Sequence, residues 1–186
     1  MDNGYTVYLI YFGGDVMDNE KLHACCFFGH RKINKTPELL EKLTETIEFL
    51  IADKGVITFY FGSKSEFDDL CYKVVSDLKE KYIYIKRIYV RVTYQHIDDA
   101  YKNYLLESYE DTYFPEQIEN SGRASYVKRN REMIDNSDYC IIYYDKNYVP
   151  QRRNSRKDLL CNKTKSGTAI AYDYAVKKGK KVINVI

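Results

Sequence analysis

The sequence predicts an α/β fold: a single domain with a mostly parallel sheet and helices on both of its faces. Short apolar runs rich in β-branched and aromatic residues alternate with longer segments whose apolar residues recur at helical spacing. Glycines and helix-capping residues stand at the boundaries between the two kinds of segment. Such alternation is typical of βαβ units, in which parallel strands are joined through right-handed helical crossovers.

The first unit begins with an apolar run at residues 23–28, which predicts a buried strand. Gly29, His30 and Arg31 follow it and predict a tight loop. Thr36 and Pro37 predict the start of a helix, because Thr caps helices and Pro suits their first position. The helix is predicted to bury a stripe of apolar residues: Leu39, Leu40, Leu43, Ile47, Leu50 and Ile51.

The second unit repeats this pattern. Residues 56–61 predict a strand that Gly62 closes, and Ser65 with Asp68 forms the pattern of a capping box. Residues 82–92 are rich in Ile, Val and Tyr and predict a third strand. The intervening helix is predicted from a second apolar stripe: Phe67, Leu70, Cys71, Val74, Val75 and Leu78.

The second half of the chain continues the alternation less clearly. Two segments have strand character, residues 139–144 and 182–186, and residues 109–120 are predicted to form a loop. Three segments are predicted to be helical: residues 98–108, 125–136 and 169–178.

A length of 186 residues favours one domain. We expect it to span residues 23–186, with residues 1–22 as an N-terminal extension or an edge strand. The sequence therefore predicts one Rossmann-like domain.

Cysteine usage and hydropathy indicate the compartment. The five cysteines form no CxxC pair and have no His at zinc spacing, so we predict reduced thiols and no metal site. No apolar run approaches the roughly 18 residues that span a bilayer. We therefore expect a cytoplasmic protein without a membrane partner.

The net charge of +2 conceals a strong asymmetry. Residues 146–165 contain seven basic residues against one acid, so that segment carries +6 and the rest of the chain carries −4. A solvated basic loop would account for this segment. An electrostatic funnel for a phosphate-bearing ligand is the alternative.

The basic segment ends at a small turn, Ser166-Gly167-Thr168, that opens the last predicted helix. Free backbone N–H groups at a helix start lie at the positive end of the helix dipole, where anions and above all phosphate bind. The same residue types also serve as ordinary helix caps. Phosphate binding gains support because Gly29 and Gly62 follow strands, and ligands of parallel sheets bind beyond the carboxyl ends of strands.

Arg129 and Asn130 lie together in the predicted helix at residues 125–136. Asn130 falls on the apolar face, where a buried amide needs hydrogen-bond partners. Hydrogen bonds to neighbouring backbone groups would satisfy this amide. Alternatively, Asn130 points into the crevice beside Arg129, whose planar guanidinium suits a bidentate grip on phosphate or carboxylate.

These residues resemble the SLOG superfamily, and most closely its small stand-alone YspA-like branch. The resemblance covers residues 24–186 and implies a Rossmann-like sheet, a nucleotide-derived ligand, and kinship with DprA and the Lonely Guy phosphoribohydrolases. It depends on four motifs in order: Cys26-Phe27-Phe28-Gly29-His30-Arg31, Phe61-Gly62 with Phe67-Asp68, Arg129-Asn130 with Met133 and Ser137-Asp138, and Ser166-Gly167-Thr168 with Tyr172 and Ala175.

The resemblance also implies roles for particular residues. Arg129 is similar to an active-site arginine of the Lonely Guy enzymes, and residues 166–168 resemble the second half of their glycine loop. Those enzymes carry glutamates where Ile170 and Ala171 stand here, and the first-loop glycine run is shortened to Gly29. We therefore lean against catalysis and assign no catalytic residue. The predicted ligand-binding residues are Gly29, His30, Arg31, Gly62, Arg129, Asn130, Ser166, Gly167 and Thr168.

Three functions follow as hypotheses. The leading one is a cytosolic binding or sensor protein for a nucleotide or nucleotide-derived ligand, a phosphate-bearing small molecule, with tyrosines such as Tyr94 stacking on the base. No cofactor is predicted beyond that ligand, and a homodimer is left open. An alternative is a nucleoside-5′-monophosphate phosphoribohydrolase that uses Asp68 or Asp173, with His30 as acid or base.

The second alternative is single-stranded nucleic-acid binding through the basic segment, with tyrosines as stacking platforms. The near-neutral net charge of the whole chain counts against it, because phosphate neutralisation dominates such affinity. We therefore expect weak nucleic-acid binding or none. The basic residues in question are Arg152, Arg153, Arg156 and Lys157.

Overall fold

The computed structural model describes residues 23–62, 64–119, 121–148 and 165–186, apart from the side chain of Arg123. Its strands are β1 (His23–Gly29), β2 (Val56–Phe61), β3 (Lys86–Val90), β4 (Asp111–Tyr113), β5 (Tyr139–Tyr143) and β6 (Lys181–Asn184). Its α-helices are α1 (Pro37–Ala52), α2 (Glu66–Lys79), α3 (Asp99–Leu106), α4 (Ser125–Asp135) and α5 (Gly167–Lys177).

The strands form one sheet in the order β4-β3-β2-β1-β5-β6, and every neighbouring pair is parallel. From β1 the chain builds outward through β2, β3 and β4, and then returns to add β5 and β6 on the other side of β1. The order of strands thus reverses between β1 and β5, which is the topological switch point of a doubly wound fold. The predicted α/β, Rossmann-like class is confirmed.

The central strand β1 is buried on both faces, as parallel sheets covered by helices require. Cys25 and Phe27 belong to a core cluster that includes most of the apolar stripes of α1 and α2, whereas Leu40 of the predicted α1 stripe is exposed. Cys26 and Phe28 point to the opposite face and pack in a second cluster with residues of α4 and α5. The helices therefore cover both faces of the sheet, as predicted.

Side-chain caps begin several helices in the way that the sequence predicts. Thr36 Oγ1 accepts a hydrogen bond from the Leu39 N–H at 3.2 Å, and Ser65 Oγ accepts one from the Asp68 N–H at 3.1 Å. Each helix between parallel strands must start at the edge where the preceding strand ended. The caps therefore gather at the carboxyl edge of the sheet.

Two predicted segments differ from the structure. Residues 82–85 are not part of β3, because the Tyr82 N–H bonds to the Leu78 carbonyl and the Ile85 N–H to the Tyr82 carbonyl. These bonds continue the end of α2 as a turn. The predicted loop at residues 109–120 contains β4, whose Thr112 hydroxyl also bonds to the Tyr89 carbonyl of β3 at 2.8 Å. Residues 1–22 lie outside the described part of the chain, so their predicted role stays a prediction.

None of the helices described is both long and apolar enough to cross a membrane. Four cysteines, Cys25, Cys26, Cys71 and Cys140, are buried as free thiols, as their apolar settings predict. Burial raises the pKa of the Cys71 thiol well above its ordinary value, which makes it a poor nucleophile.

Candidate functional site

The carboxyl edge of the sheet collects most of the predicted ligand-binding residues. Gly29 is the last residue of β1, Gly62 directly follows β2, and Gly167 is the first residue of α5. In a parallel sheet, strands end and the following helices begin at this same edge. The edge also contains the switch point beside β1, where ligands of such folds bind.

A shared core cluster shows how two helices present their residues at this edge. Phe28, Met133 and Ala171 belong to the same buried cluster. Arg129 precedes Met133 by four residues and Thr168 precedes Ala171 by three, so each lies about one turn nearer the carboxyl edge on the same helix face. Arg129 and Thr168 therefore both lie on the carboxyl-edge side of the cluster, on α4 and α5 respectively.

The N-terminus of α5 is capped but still offers free donors. Ser166 Oγ accepts from the Ala169 N–H at 3.1 Å, and the Ser166 carbonyl accepts from the Ile170 N–H at 3.0 Å. The N–H groups of Gly167 and Thr168 have no partner within the helix, since its first turn supplies none. A Cβ on Gly167 would have no atom of the described residues within 4 Å. Among those residues the position is open, and packing against them does not require a glycine there.

Gly29 has a packing role in the structure. A Cβ at this position would overlap the side chain of Phe67, which α2 places directly against the end of β1. Phe67 is fully buried in the first core cluster. Packing against Phe67 of α2 therefore explains why residue 29 is a glycine. The predicted ligand contact at Gly29 is at most a contact with its backbone.

The loop after β1 is fastened to the first turn of α2. The Arg31 carbonyl accepts from the Glu66 N–H at 3.0 Å, and the Glu66 carboxylate accepts from the Ile33 N–H at 3.1 Å and from Lys32. The Arg31 side chain is exposed. It is free to reach an anion at the edge, but its backbone is held.

His30 is buried, with 2% of its surface exposed, and it bridges the switch point. Its Nε2 accepts from the Asp145 N–H at 3.0 Å, which ties the end of β1 to the loop after β5. Its ring stacks on Tyr148 at 3.8 Å between centroids. Because Nε2 is an acceptor, Nδ1 carries the proton of the neutral ring. That buried donor has no acceptor among the described residues.

The guanidinium of Arg129 is buried and spans the carboxyl edge. Its Nη1 donates to the Gly62 carbonyl, and its Nε and Nη2 donate to Asn130 Oδ1 at 3.1 and 3.0 Å. Asn130 is thus bonded to the side chain of Arg129. The sequence left open whether neighbouring backbone satisfies the amide or whether it points into the crevice beside Arg129, and the observed arrangement lies between the two. Burial lowers the pKa of Arg129, while the carboxylate of the buried Asp68 on α2 opposes that shift.

Gly62 is a glycine because Arg129 passes over it. A Cβ there would lie 2.7 Å from Arg129 Nη1 and 2.9 Å from the Val90 carbonyl oxygen at the end of β3. Gly62 and Arg129 therefore form one unit in which a backbone carbonyl and a buried cation occupy the edge between β2 and β3.

Some residues lie away from this site. Asp173 is exposed and pairs with the side chain of Lys165 at 2.6 Å, and it lies more than one helical turn beyond the start of α5. The basic residues at 152, 153, 156, 157 and 163 fall outside the described part of the chain. A surface depression of about 550 Å³ runs along β6 and reaches Tyr144 and Lys146, just past the carboxyl end of β5. A second, of about 340 Å³, lies at the amino edge of the sheet.

No group of three or more potential metal ligands occurs within residues 23–62, 64–119, 121–148 and 165–186. Sequence reasoning missed two residues that the structure adds to the site, Asp145 and Tyr148, the partners of His30. They directly follow β5, and the signal would have been the adjacency of β5 to β1, which the sequence alone does not order.

The packing role of Gly29 generates a first prediction. Gly29→Ala should lower the free energy of unfolding by about 1–3 kcal/mol, because the new methyl group overpacks Phe67. Gly167→Ala is the matched control and should change it by no more than about 0.5 kcal/mol, since that position is open. Urea denaturation of both variants provides the measurement. Equal stability of the two variants would contradict the prediction and would show that Phe67 moves to accommodate the new methyl group.

His30 generates a second prediction, about pH. Burial lowers its pKa in the folded protein below the ordinary value of 6.5, despite the opposing charge of Asp145. The unfolded chain therefore binds more protons at pH values just below 6.5, and stability should fall as the pH decreases through that window and level off above it. Three tyrosine rings of the described residues also contact the His30 ring: Tyr143, Tyr144 and Tyr148.

The measurement is urea denaturation as a function of pH, with His30→Gln as the control. Glutamine offers an amide oxygen in place of Nε2 and does not titrate. The pH dependence of this variant should be flatter below 6.5 than that of the wild type. Identical slopes would mean that His30 is not the group that titrates.

Neither models of known protein families nor curated protein sequences give a match for this chain.

Proposed function

We propose that this chain binds a nucleotide or nucleotide-derived ligand through its phosphate, at the carboxyl edge of the sheet. One observation carries the proposal: the N-terminus of α5 and the buried guanidinium of Arg129 both lie at the carboxyl edge of the sheet. The free N–H groups of Gly167 and Thr168 and the helix dipole favour an anion there. The open position at Gly167 allows a phosphate to approach the backbone closely.

The hydrogen bonds of Arg129 support an anionic ligand. The Nε and Nη2 edge of an arginine is the edge that binds carboxylate or phosphate through two parallel bonds. In this structure a neutral amide oxygen, Asn130 Oδ1, accepts both bonds. A phosphate oxygen is the stronger acceptor, since charge-assisted hydrogen bonds are roughly twice as strong as neutral ones. On binding, phosphate replaces the amide oxygen, and Asn130 is released to bond a ribose hydroxyl or the base.

The buried donor of His30 supports the same site. An unsatisfied buried N–H costs about 1–3 kcal/mol, which a ligand oxygen would recover. His30 sits at the switch point between β1 and β5, where a ligand's sugar or phosphate would lie. The SLOG resemblance, a cytoplasmic location and a homodimer belong to this proposal as predictions.

One observation favours the enzyme as a second candidate. Asp68 is buried on α2 within electrostatic range of Arg129, so a carboxylate does stand near the proposed phosphate site. Cleavage of an N-glycosidic bond needs such a carboxylate to stabilise positive charge on the ribose. Asp68 and Arg129 already compensate each other's charge, however, which favours a role in holding the arginine.

Ligand binding is tested by Gly167→Asp. Inorganic phosphate and AMP should each raise the melting temperature of the wild type, and the shift should be lost in the variant, because a carboxylate then occupies the helix terminus. Ala52→Asp is the matched control: it adds the same charge at an exposed position on α1, at the amino edge, and should retain the shift. Equal shifts in wild type and Gly167→Asp contradict the proposal.

For catalysis we predict no appreciable hydrolysis of AMP, GMP, CMP or UMP. The turn after Thr168 carries Ile170 and Ala171, and Asp173 is paired with Lys165 on the surface. The measurement is chromatography for free base after incubation with each nucleotide. Turnover that is lost in Asp68→Asn and kept in Asp173→Asn would instead establish the enzyme, with Asp68 as its acid.

A further inference from the structure

The loop after β3 borders the proposed phosphate site. β3 ends at Val90, whose carbonyl oxygen lies 2.9 Å from the position that a Gly62 Cβ would take. Arg129 occupies the same space between the two strands. Residues 91–98 leave the sheet from this point, and α3 begins directly after them. The loop is therefore the part of the carboxyl edge that continues from Arg129 away from the switch point.

Tyr94 in this loop has an unusual backbone. Within the described ranges it is the one non-glycine residue with a positive φ, at 59°. This left-handed conformation disfavours a bulky side chain by about 1–3 kcal/mol. Arg91 holds it in place, because its Nη1 donates to the Tyr94 carbonyl at 2.6 Å. The ring itself is 71% exposed. The fold thus keeps an aromatic ring in solvent in a conformation that glycine would adopt more easily.

Other aromatic rings extend this surface. The Tyr94 ring meets Tyr101 edge-on at 6.4 Å, and the ring planes of Tyr101 and Tyr104 are nearly parallel, with their centroids 6.2 Å apart. On the other side, Tyr126 of α4 is exposed and lies under the guanidinium of Arg129, 5.8 Å from its ring centroid. Exposed tyrosines therefore occur both in the segment after β3 and on α4 next to Arg129.

We infer that the Tyr94 ring is the stacking surface for the base of the ligand, so that the ligand class is a base-containing nucleotide and not a sugar phosphate alone. The inference rests on the proposed function, since it takes the phosphate to lie at α5. Ring stacking needs an exposed aromatic face at the edge that holds the phosphate, and Tyr94 provides one in the loop that leaves β3 next to Gly62 and Arg129. This role explains the strained backbone of Tyr94, because it presents the flat face of the ring to the base.

Tyr94→Gly tests this inference with little risk to folding, since glycine suits the positive φ. Wild type should bind AMP roughly tenfold more tightly than ribose 5-phosphate in calorimetric titrations, the gain expected from one stacked base. Tyr94→Gly should lose that preference and retain its affinity for ribose 5-phosphate, whereas Tyr94→Phe should keep it. Phe49→Ala removes an exposed ring from α1, at the opposite edge, and should behave as wild type.

The outcomes separate this inference from the proposed function. If wild type binds neither compound, the proposed phosphate site is wrong. If it binds both equally, or if Tyr94→Gly weakens both to the same extent, the phosphate site stands and the stacking surface is overturned. Sedimentation of a wild-type dimer that Tyr94→Gly converts to monomer would assign the tyrosines to a subunit interface. Oligothymidylate bound more tightly than AMP through Tyr94 would assign them to single-stranded nucleic acid.

Discussion

The buried guanidinium of Arg129 is the constraint on which the carboxyl edge depends. Removing a cation from water is costly unless hydrogen bonds and a counter-charge compensate for it. Here the Gly62 carbonyl, the Asn130 amide oxygen and the charge of Asp68 provide that compensation. The three come from β2, α4 and α2, so the cation links elements on both faces of the sheet. These acceptors and the counter-charge hold the guanidinium in place before a ligand arrives, and a preorganised site binds ligands with less loss of entropy.

The switch point is held in a different way. His30 and Asp145 connect the two halves of the sheet through one hydrogen bond, and Tyr148 covers the ring. This connection leaves Nδ1 without a partner among the described residues, in contrast to the well-satisfied Arg129. The two neighbouring parts of the edge therefore differ. The donors of Arg129 already have acceptors, whereas the Nδ1 donor of His30 has none among the described residues. A ligand that lies across both would exchange an acceptor at the first and supply one at the second.

The sequence predicted the elements whose signals are local. Apolar stripes identify α1 and α2, and capping residues such as Ser65 identify their starts, because both depend on residues within a turn or two. The turn at residues 82–85 was missed, since a run of Ile and Tyr also suits a strand and only hydrogen bonds to Leu78 distinguish the two. The short strand β4 was missed because it is defined by pairing with β3 and by little in its own sequence.

The site was predicted in part for the same reason. Glycines after strands marked the carboxyl edge correctly, but their causes are non-local: Gly29 accommodates Phe67 of α2, and Gly62 accommodates Arg129 of α4. The pair of Gly62 and Arg129 has an evolutionary consequence. A side chain at position 62 would meet both the arginine and the Val90 carbonyl oxygen, so Gly62 cannot be replaced while Arg129 stays in place. Descendants of this sequence that keep Arg129 should therefore also keep Gly62.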